Sequence, residues 1–184
     1  MHFTLCDMFS DLTQNAVEAG SSLVTVVLEQ TDLRLSLKIE DDGKGMTPEQ
    51  LQRATDPFYT DGIKHPGRKV GLGIPFLIQT AETTGGTWNI RSEKTETAHG
   101  TVVECGFDLT NIDTPPLGDV TGYFRQILTF DARYEMVIRR TAPSVDYTVC
   151  RSELLEALGL DESGTIEDVG ALALLKAYLE SCEQ

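Results

Sequence analysis

The segment Leu33 to Ile39, LRLSLKI, alternates apolar and polar side chains at every position. Successive side chains of a strand point to opposite faces, so its leucines and isoleucine predict one buried face and its polar residues one hydrated face. This pattern is typical of an antiparallel sheet with helices on one side. The strand runs directly into Asp41, Asp42, Gly43 and Gly45, more acids and glycines than a surface turn requires. The end of this strand is therefore a candidate binding site.

Apolar periodicity predicts further helices and strands in the first part of the chain. Helices are predicted over Phe9–Ala19, Pro48–Ala54 and Gly71–Thr84. Strands are predicted over Ser22–Glu29, Thr87–Ser92 and Thr101–Phe107, with a polar loop, Glu93–Gly100, between the last two. Gly20 and the pair Gly85 and Gly86 follow two of these helices as stop signals.

The pattern changes near Leu109, where TNIDTPPLGD is typical of a linker. We therefore predict two domains, 1–108 and 109–184, the second being either a small α/β subdomain or an extension of the main sheet. It contains a predicted helix, two strands, a short helix that Ser152 would cap, and a final helix. The apolar residues of the final helix that lie near one stripe are Val169, Leu172, Ala173, Leu175 and Leu179.

The composition excludes several classes of function. The chain has 15 Lys and Arg against 29 Asp and Glu, a net charge of -14, which disfavours duplex nucleic acid because that binding depends on neutralising phosphates. Its 4 cysteines form no C-x-x-C pair and its 3 histidines show no metal-ligand spacing, so we expect reduced thiols and no zinc site. No apolar run approaches membrane-spanning length, which predicts a cytoplasmic protein without a membrane partner.

Two motifs carry groups suited to a nucleotide. In DLTQNAVEAG, helical spacing places Asp11, Asn15 and Glu18 on one polar face. The amide oxygen of Asn15 is a ligand for a hard cation such as Mg²⁺, and Asp11 can orient a water or accept its proton. In DDGKGM, Asp41 can accept a hydrogen bond from the exocyclic amine of adenine, and the glycines let the backbone approach a flat base. The alternatives are a solvated helix face and a tight turn.

The segment GRKVGLGIPF opens a predicted helix with exposed backbone N–H groups at Gly71 and Gly73, where phosphates bind favourably. Arg68 and Lys69 lie beside them. The spacing is neither that of a Walker P-loop nor that of G-x-G-x-x-G. A fourth segment, GGTWNIRSEKTETAHGTVVECGF, predicts a hairpin that closes the site from beneath.

In this order the four segments resemble the GHKL superfamily, which includes DNA gyrase B, heat-shock chaperones of the ninety-kilodalton class, sensor histidine kinases and MutL-type mismatch-repair proteins. DLTQNAVEA resembles the N box, DDGKGM the G1 box and GLGI the G2 box, and DPFYT is similar to the start of the ATP lid of histidine kinases. The resemblance covers Phe3 to Phe107. It implies the Bergerat ATP-binding fold, a two-layer α+β sandwich with a mixed, mostly antiparallel sheet and helices on one face, here with a small C-terminal α/β extension.

The resemblance also implies roles for individual residues, with ATP and Mg²⁺ as cofactors. It implies that Asn15 binds Mg²⁺ and that Asp41 reads adenine. The implied base pocket comprises Ala19, Gly43, Gly45, Met46 and Thr101. The implied phosphate contacts come from the G2 segment, Lys69, Val70, Gly71, Leu72 and Gly73, under a lid of residues 56–70. Asp11 and Lys69 are the implied catalytic residues.

The chain departs from the family pattern in four places. The N box begins almost at Met1, which leaves no room for the phosphoacceptor hairpin of a sensor histidine kinase. The usual first strand has no counterpart, so we expect a fragment, or a strand supplied by the tail or a partner. Asp11 stands where MutL- and gyrase-type ATPases have glutamate, and its shorter side chain predicts slow hydrolysis with intact binding. The G2 box lacks one glycine of the kinase pattern, with Lys69 and Val70 in front of Gly71, and Lys69 either stabilises phosphate charge or is a solvated lid lysine.

These observations leave three functions open. The leading hypothesis is an ATP-Mg²⁺ binding domain with slow hydrolysis or a nucleotide-dependent regulatory role, whose C-terminal part contacts a protein partner. The second is a stand-alone kinase acting in trans on His or Ser of another protein, which the kinase-like DPFYT segment favours. The third is a non-catalytic, nucleotide-dependent interaction module. The oligomeric state stays open.

Overall fold

A six-stranded mixed sheet is the framework of the computed structural model, which describes residues 4–56, 73–160 and 169–184. Its strands are β1 (Leu23–Gln30), β2 (Arg34–Asp41), β3 (Thr87–Lys94), β4 (His99–Asp108), β5 (Glu135–Ala142) and β6 (Val145–Cys150). The helices are α1 (Leu5–Glu18), α2 (Pro48–Thr55), α3 (Gly73–Thr84), α4 (Val120–Leu128), α5 (Arg151–Ala157) and α6 (Val169–Cys182). The strand order is β3-β4-β2-β1-β5-β6, antiparallel except for the parallel pair β1–β5.

One face of the sheet is buried beneath the helices, and the other is only partly covered. Alternate apolar residues of four strands form the buried face: Val24, Val26, Leu28, Leu35, Leu37, Ile39, Val103, Cys105, Phe107, Met136 and Ile138. The register places Ile39 between Val26 and Val103, so the apolar rows are continuous across the strands. The predicted α+β sandwich, with a mixed, mostly antiparallel sheet and helices on one face, is therefore confirmed.

Local signals specify both ends of α1. Thr4 Oγ1 accepts the N–H of Asp7 at 3.1 Å, and the Asp7 carboxylate accepts the N–H of Thr4 at 3.1 Å, which makes a capping box. Gly20, at φ +77°, ends the helix in the left-handed conformation that favours glycine. Between these ends, helical spacing buries one face against the sheet: Leu5, Phe9, Leu12 and Ala16.

The C-terminal part of the chain extends the main sheet. β5 pairs in parallel with β1, with Ile138 beside Val26, and β6 continues the sheet beyond it. The segment before α4 also contacts α1, because the N–H groups of Leu5 and Cys6 donate to the carbonyls of Pro116 and Leu117, both at 2.9 Å. The segment predicted as a linker therefore satisfies two donors that the first turn of α1 leaves open. The proposed boundary between residues 108 and 109 stays a prediction.

Three local predictions were wrong. Leu33 is 61% exposed, because it lies in the turn closed by the N–H of Thr31 and the carbonyl of Arg34 rather than in β2. Ser152 does not cap α5: the helix begins at Arg151, two residues earlier than predicted, with Cys150 at the N-cap and no side-chain cap. The loop of the β3–β4 hairpin is shorter than predicted, since backbone pairing continues as far as Lys94 and His99.

The stripe predicted for the final helix was also partly wrong. The residues of α6 that are buried are Ala171, Leu175 and Leu179, spaced four apart. Val169 is 80% exposed and Ala173 is exposed, because both lie off that stripe. The contact face is therefore narrower than the sequence suggested.

Two features are absent from residues 4–56, 73–160 and 169–184. No helix there is long and apolar enough to cross a membrane. No group of three or more His, Cys, Asp or Glu side chains there is arranged to hold a metal ion. The four cysteines are free thiols, and burial raises the pKa of both Cys6 and Cys105 to about 12.

Candidate functional site

A cavity of about 370 Å³ lies between the C-terminal half of α1, the turn after β2, and β4. Its polar lining is contributed by Asn15, Glu18, Asp41, Lys44 and Thr101. Apolar side chains complete the lining, among them Ile39 and Val103 from adjacent strands and Ile74 from the first turn of α3. A flat apolar wall with a few polar groups at one side is typical of a small-molecule site.

Asp41 is the buried acid of this cavity, with 9% of its surface exposed. Its Oδ1 accepts the N–H of Gly43 at 2.9 Å and the hydroxyl of Ser21 at 3.2 Å. Burial raises the pKa of Asp41 above its ordinary value, and these two hydrogen bonds oppose that rise. A carboxylate whose burial is only partly compensated within the chain is suited to accept a further donor from a ligand.

Two glycines of the turn are required by close packing. A Cβ added to Gly43 would lie 2.7 Å from the Cβ of Ala19 and 2.7 Å from Ser21 Oγ. Gly45 has φ +60°, and a Cβ there would overlap the carbonyl group of Glu93 in β3. The turn is therefore pressed between the end of α1 and the β3–β4 hairpin, and its backbone forms one wall of the cavity.

The polar face of α1 reaches the same cavity. Asn15 is exposed and lines it, and Asp11 lies one turn earlier, half-buried. A Cβ added to Gly73 would lie 3.5 Å from Asn15 Nδ2 and 3.5 Å from Asp11 Cβ. The start of α3 therefore meets the side of α1 that carries these residues. Backbone N–H groups at a helix start favour anions, so phosphate groups would fit at this junction.

The β3–β4 hairpin closes the cavity from the other side. Thr101 is paired with Asp41 across the strands, and its Oγ1 lies 2.9 Å from Ser92 Oγ. Ser92 Oγ also accepts the N–H of Met46 at 2.8 Å. His99 Nδ1 lies 2.8 Å from the carbonyl oxygen of Asp42. The hairpin thus contacts the turn at several points of its backbone.

The structure brings most of the predicted site residues together. Around one cavity lie Asn15, Ala19, Asp41, Gly45, Met46 and Thr101, with Gly43 packed behind Asp41. Gly73 and Asp11 lie at its edge. The predicted residues Lys69, Val70, Gly71 and Leu72, and the predicted lid beyond Asp56, lie outside the described residues.

Three contacting residues were missed by the sequence interpretation. Ser21 follows the N box after Gly20, and its position beside that glycine was the signal that could have pointed to it. No local sequence pattern pointed to Ser92 and His99, because their contacts with the turn join residues that are 46 and 57 positions apart in the chain.

A larger concavity, of about 640 Å³, lies on the open face of the sheet. Charged side chains of both signs line it, including Arg34, Lys38 and Glu104. The carboxylate of Glu104 already accepts hydrogen bonds from the side chains of Asn89 and Arg91, at 3.0 and 3.1 Å. None of the predicted site residues lines it. The smaller cavity, which holds the buried carboxylate and the close-packed turn, is therefore the stronger candidate.

Comparison with known proteins identifies a family that spans the part of the chain containing this cavity. A family model described as "Histidine kinase-, DNA gyrase B-, and HSP90-like ATPase" matches residues 3–111. The sensor protein ChvG of Agrobacterium fabrum is 31% identical over 106 residues, which cover 55% of this chain and 17% of that protein. The DNA mismatch repair protein MutL of Thermus aquaticus is 30% identical over 174 residues, which cover 94% of this chain and 27% of that protein.

A solved structure shares the fold over nearly the whole chain. The N-terminal domain of a DNA repair protein superposes with a TM-score of 0.52 at 12% identity, covering 92% of this chain and 58% of that one. The chain spans less than a third of the length of the two curated relatives described above. Because the family model covers more than half of the chain and includes every residue that lines the cavity, the chain belongs to the family of histidine kinase-, DNA gyrase B-, and HSP90-like ATPases.

Proposed function

We propose that the chain binds ATP with Mg²⁺ in the cavity beside Asp41 and hydrolyses it slowly or uses it as a regulatory ligand. The observation that carries this proposal is the buried carboxylate of Asp41, held through Oδ1 at the wall of a cavity. A buried acceptor of this kind suits the 6-amine of adenine, and guanine has an oxygen at that position. Family membership supports ATP as the nucleotide.

In this proposal the base lies against the turn and the phosphates extend toward the start of α3. The residues around the base are Ala19, Gly43, Gly45, Met46 and Thr101. Backbone N–H groups of the segment that ends at Gly73 would contact the phosphates, with Lys69, Val70, Gly71 and Leu72 preceding it. This direction is supported by Gly73, which lies closest to Asn15 and Asp11 on α1.

The exposed amide of Asn15 fits a Mg²⁺ ion, because this ion prefers oxygen ligands and keeps several waters and phosphate oxygens around it. The ion, when bound, would neutralise phosphate charge. Asp11, one helical turn away, would orient or deprotonate the attacking water. Its aspartate side chain is one methylene shorter than glutamate, which favours slow turnover.

A protein kinase acting in trans is the second candidate. It is supported by the 30% identity over 91 residues to sporulation kinase C of Bacillus subtilis, of which the match covers 20%. In that case the γ-phosphate would pass to His or Ser of a protein partner bound through the C-terminal part. A non-catalytic, nucleotide-dependent module is the third, and binding without turnover would favour it.

Calorimetric titration of the full chain with ADP, ATP and a non-hydrolysable ATP analogue, with and without Mg²⁺, tests the proposal. Saturable binding is expected for the parent chain, and its loss is expected in Asp41→Asn. Asp146→Asn, an exposed acid of β6, is the matched control and should bind as the parent does. Absence of binding in the parent chain, or equal binding by Asp41→Asn, would contradict the proposal.

Phosphate release and transfer of label from γ-labelled ATP then separate the candidates. Release without transfer to a partner supports the ATPase, and transfer supports the kinase. Binding with neither supports the regulatory module.

A further inference from the structure

His99, the first residue of β4, contacts the backbone of the turn after β2. Its Nδ1 lies 2.8 Å from the carbonyl oxygen of Asp42 and 2.9 Å from that of Gly43. Carbonyl oxygens only accept hydrogen bonds, so Nδ1 must carry the hydrogen and donate it. His99 is thus a donor at Nδ1, in either the neutral or the charged ring.

The carbonyl of Asp42 belongs to the same peptide group as the N–H of Gly43. A peptide group is planar, and in the trans form its C=O and N–H point in opposite directions. At one edge of this peptide His99 donates to the carbonyl, and at the opposite edge the N–H of Gly43 donates to Asp41 Oδ1 at 2.9 Å. Rotation of this single peptide would therefore break both hydrogen bonds.

We propose that His99 is a positioning residue for adenine recognition, acting on Asp41 through the Asp42–Gly43 peptide. By holding that peptide, His99 keeps the N–H of Gly43 on Oδ1 and so fixes the orientation of the carboxylate that would accept the 6-amine of the base. This inference rests on the proposed function of the cavity. Glycine at position 43 makes such a restraint necessary, because glycine restricts its own backbone less than any other residue.

Other contacts of the hairpin hold the turn in place without acting on this peptide. Ser92 accepts the N–H of Met46, and Gly45 packs on the backbone of Glu93. Gly100 has φ +127°, and a Cβ there would overlap the carbonyl group of Asp41. These contacts fix the distance between hairpin and turn, which places the His99 ring within reach of the two carbonyls.

The test compares ADP with purine riboside 5′-diphosphate, which has hydrogen in place of the 6-amine. The ratio of their dissociation constants, analogue over ADP, measures the contribution of the amine. In His99→Ala we expect this ratio to fall about 3- to 10-fold, the range set by the loss of about one hydrogen bond. A residue that only stabilised the fold would change the unfolding temperature and leave the ratio as it was.

Two conservative variants make the test specific. His99→Asn can place an amide nitrogen near the position of Nδ1 and should keep the ratio within about twofold of the parent's, which is less than the contribution of one hydrogen bond. His99→Gln carries the same amide one bond further out and should behave as His99→Ala. Thr97→Ala, at an exposed position of the adjoining β3–β4 loop, is the control and should leave the ratio unchanged.

An unchanged ratio in a His99→Ala variant that still binds ADP would overturn the inference and leave the adenine site standing. Equal binding of ADP and the analogue by the parent chain, or no binding of either, would overturn the proposed function and this inference with it. If circular dichroism shows that His99→Ala is unfolded, the Asn and Gln variants decide. A lower ratio for Gln supports the inference, and equal ratios contradict it.

Discussion

Two neighbouring carboxylates at the end of β2 have pKa values displaced in opposite directions. Burial raises the pKa of Asp41, although hydrogen bonds from Gly43 and Ser21 oppose it. Burial also acts to raise the pKa of Asp42, but the hydrogen bonds from Leu23 and Ser22 outweigh it, and the pKa is lowered. Ionisation of Asp41 therefore costs stability in the folded state, and ionisation of Asp42 contributes stability. We interpret this difference as a division of roles, with Asp41 available to a ligand and Asp42 structural.

The free energy of unfolding should respond oppositely to neutralisation of these two acids. At pH 7 and without nucleotide, Asp41→Asn is expected to be more stable than the parent chain, because it removes a charge that burial disfavours. Asp42→Asn is expected to be about 1 kcal/mol less stable, since hydrogen bonds to a charged acceptor become neutral ones. Urea unfolding of the three chains at pH 7 measures both differences.

Both stability differences should depend on pH. The penalty at Asp41 appears as pH rises from 3.8 through the raised folded pKa, and it is absent below 3.8. The stabilisation at Asp42 is complete above 3.8 and is lost as pH falls through the lowered folded pKa. Both differences should therefore shrink on acidification, and a pH-independent difference for either variant would refute its assigned role.

At the scale of elements, the C-terminal helix α4 is joined to the site helix α1 by a buried hydrogen bond. Tyr123 OH and Thr13 Oγ1 lie 2.9 Å apart. Thr13 donates its hydroxyl hydrogen to the carbonyl of Phe9 at 2.8 Å, so Tyr123 must donate to Thr13. Thr13 lies between Asp11 and Asn15 in sequence, on the opposite, buried side of α1. The helix that carries the candidate metal ligand is thus held in part by the C-terminal half of the chain.

Tyr123→Phe should lower the free energy of unfolding by about 1 kcal/mol, the net contribution of one buried hydrogen bond. The ring itself stays, so its packing against Phe9 and Phe124 is preserved. A double-mutant cycle with Thr13→Val, followed by urea unfolding, isolates the pair. Strictly additive effects of the two substitutions would show that the hydroxyl pair contributes nothing.

At the scale of the whole molecule, one buried arginine links the C-terminal helix to the sheet through hydrogen bonds. Arg140 of β5 is 3% exposed and donates from Nε to Glu183 at 3.2 Å, just after α6. It also donates to Gln30 of β1 at 2.7 Å, and Tyr147 of β6 donates to the same Glu183 oxygen at 2.7 Å. Residues of three strands and Glu183 therefore form one hydrogen-bonded network around this guanidinium.

Arg140→Met should destabilise the chain by about 3 kcal/mol, because it leaves Glu183 and Gln30 without their partner at a largely buried position. The matched control is Lys176→Met, which breaks the exposed Lys176–Glu180 pair of α6 and should cost less than about 0.5 kcal/mol. Urea unfolding measures both. A cost for Arg140→Met as small as that of the control would show that the network does not hold α6.

The sequence by itself determined the family, the order of the main elements and most of the candidate site. These features follow from rules that act within a few residues: alternation in β2, the capping box of α2 at Thr47, and the left-handed glycine after α1. The acids and glycines after β2 were also visible locally, because they must follow one another to form the turn beside Ala19.

Only the tertiary structure decided which distant segments meet. The parallel pairing of β1 with β5 joins residues more than a hundred positions apart in the chain. The sequence of neither strand predicts this pairing, because both strands show the same alternation of apolar and polar residues. In the sequence, Ser92 and His99 cannot be distinguished from the solvated polar residues of a hairpin. Only the folded sheet places their side chains against the backbone of the turn after β2. The contact between hairpin and turn depends on the register of β2 and β4, which pairs Asp41 with Thr101. That register is determined by the apolar residues along the whole buried face of the sheet.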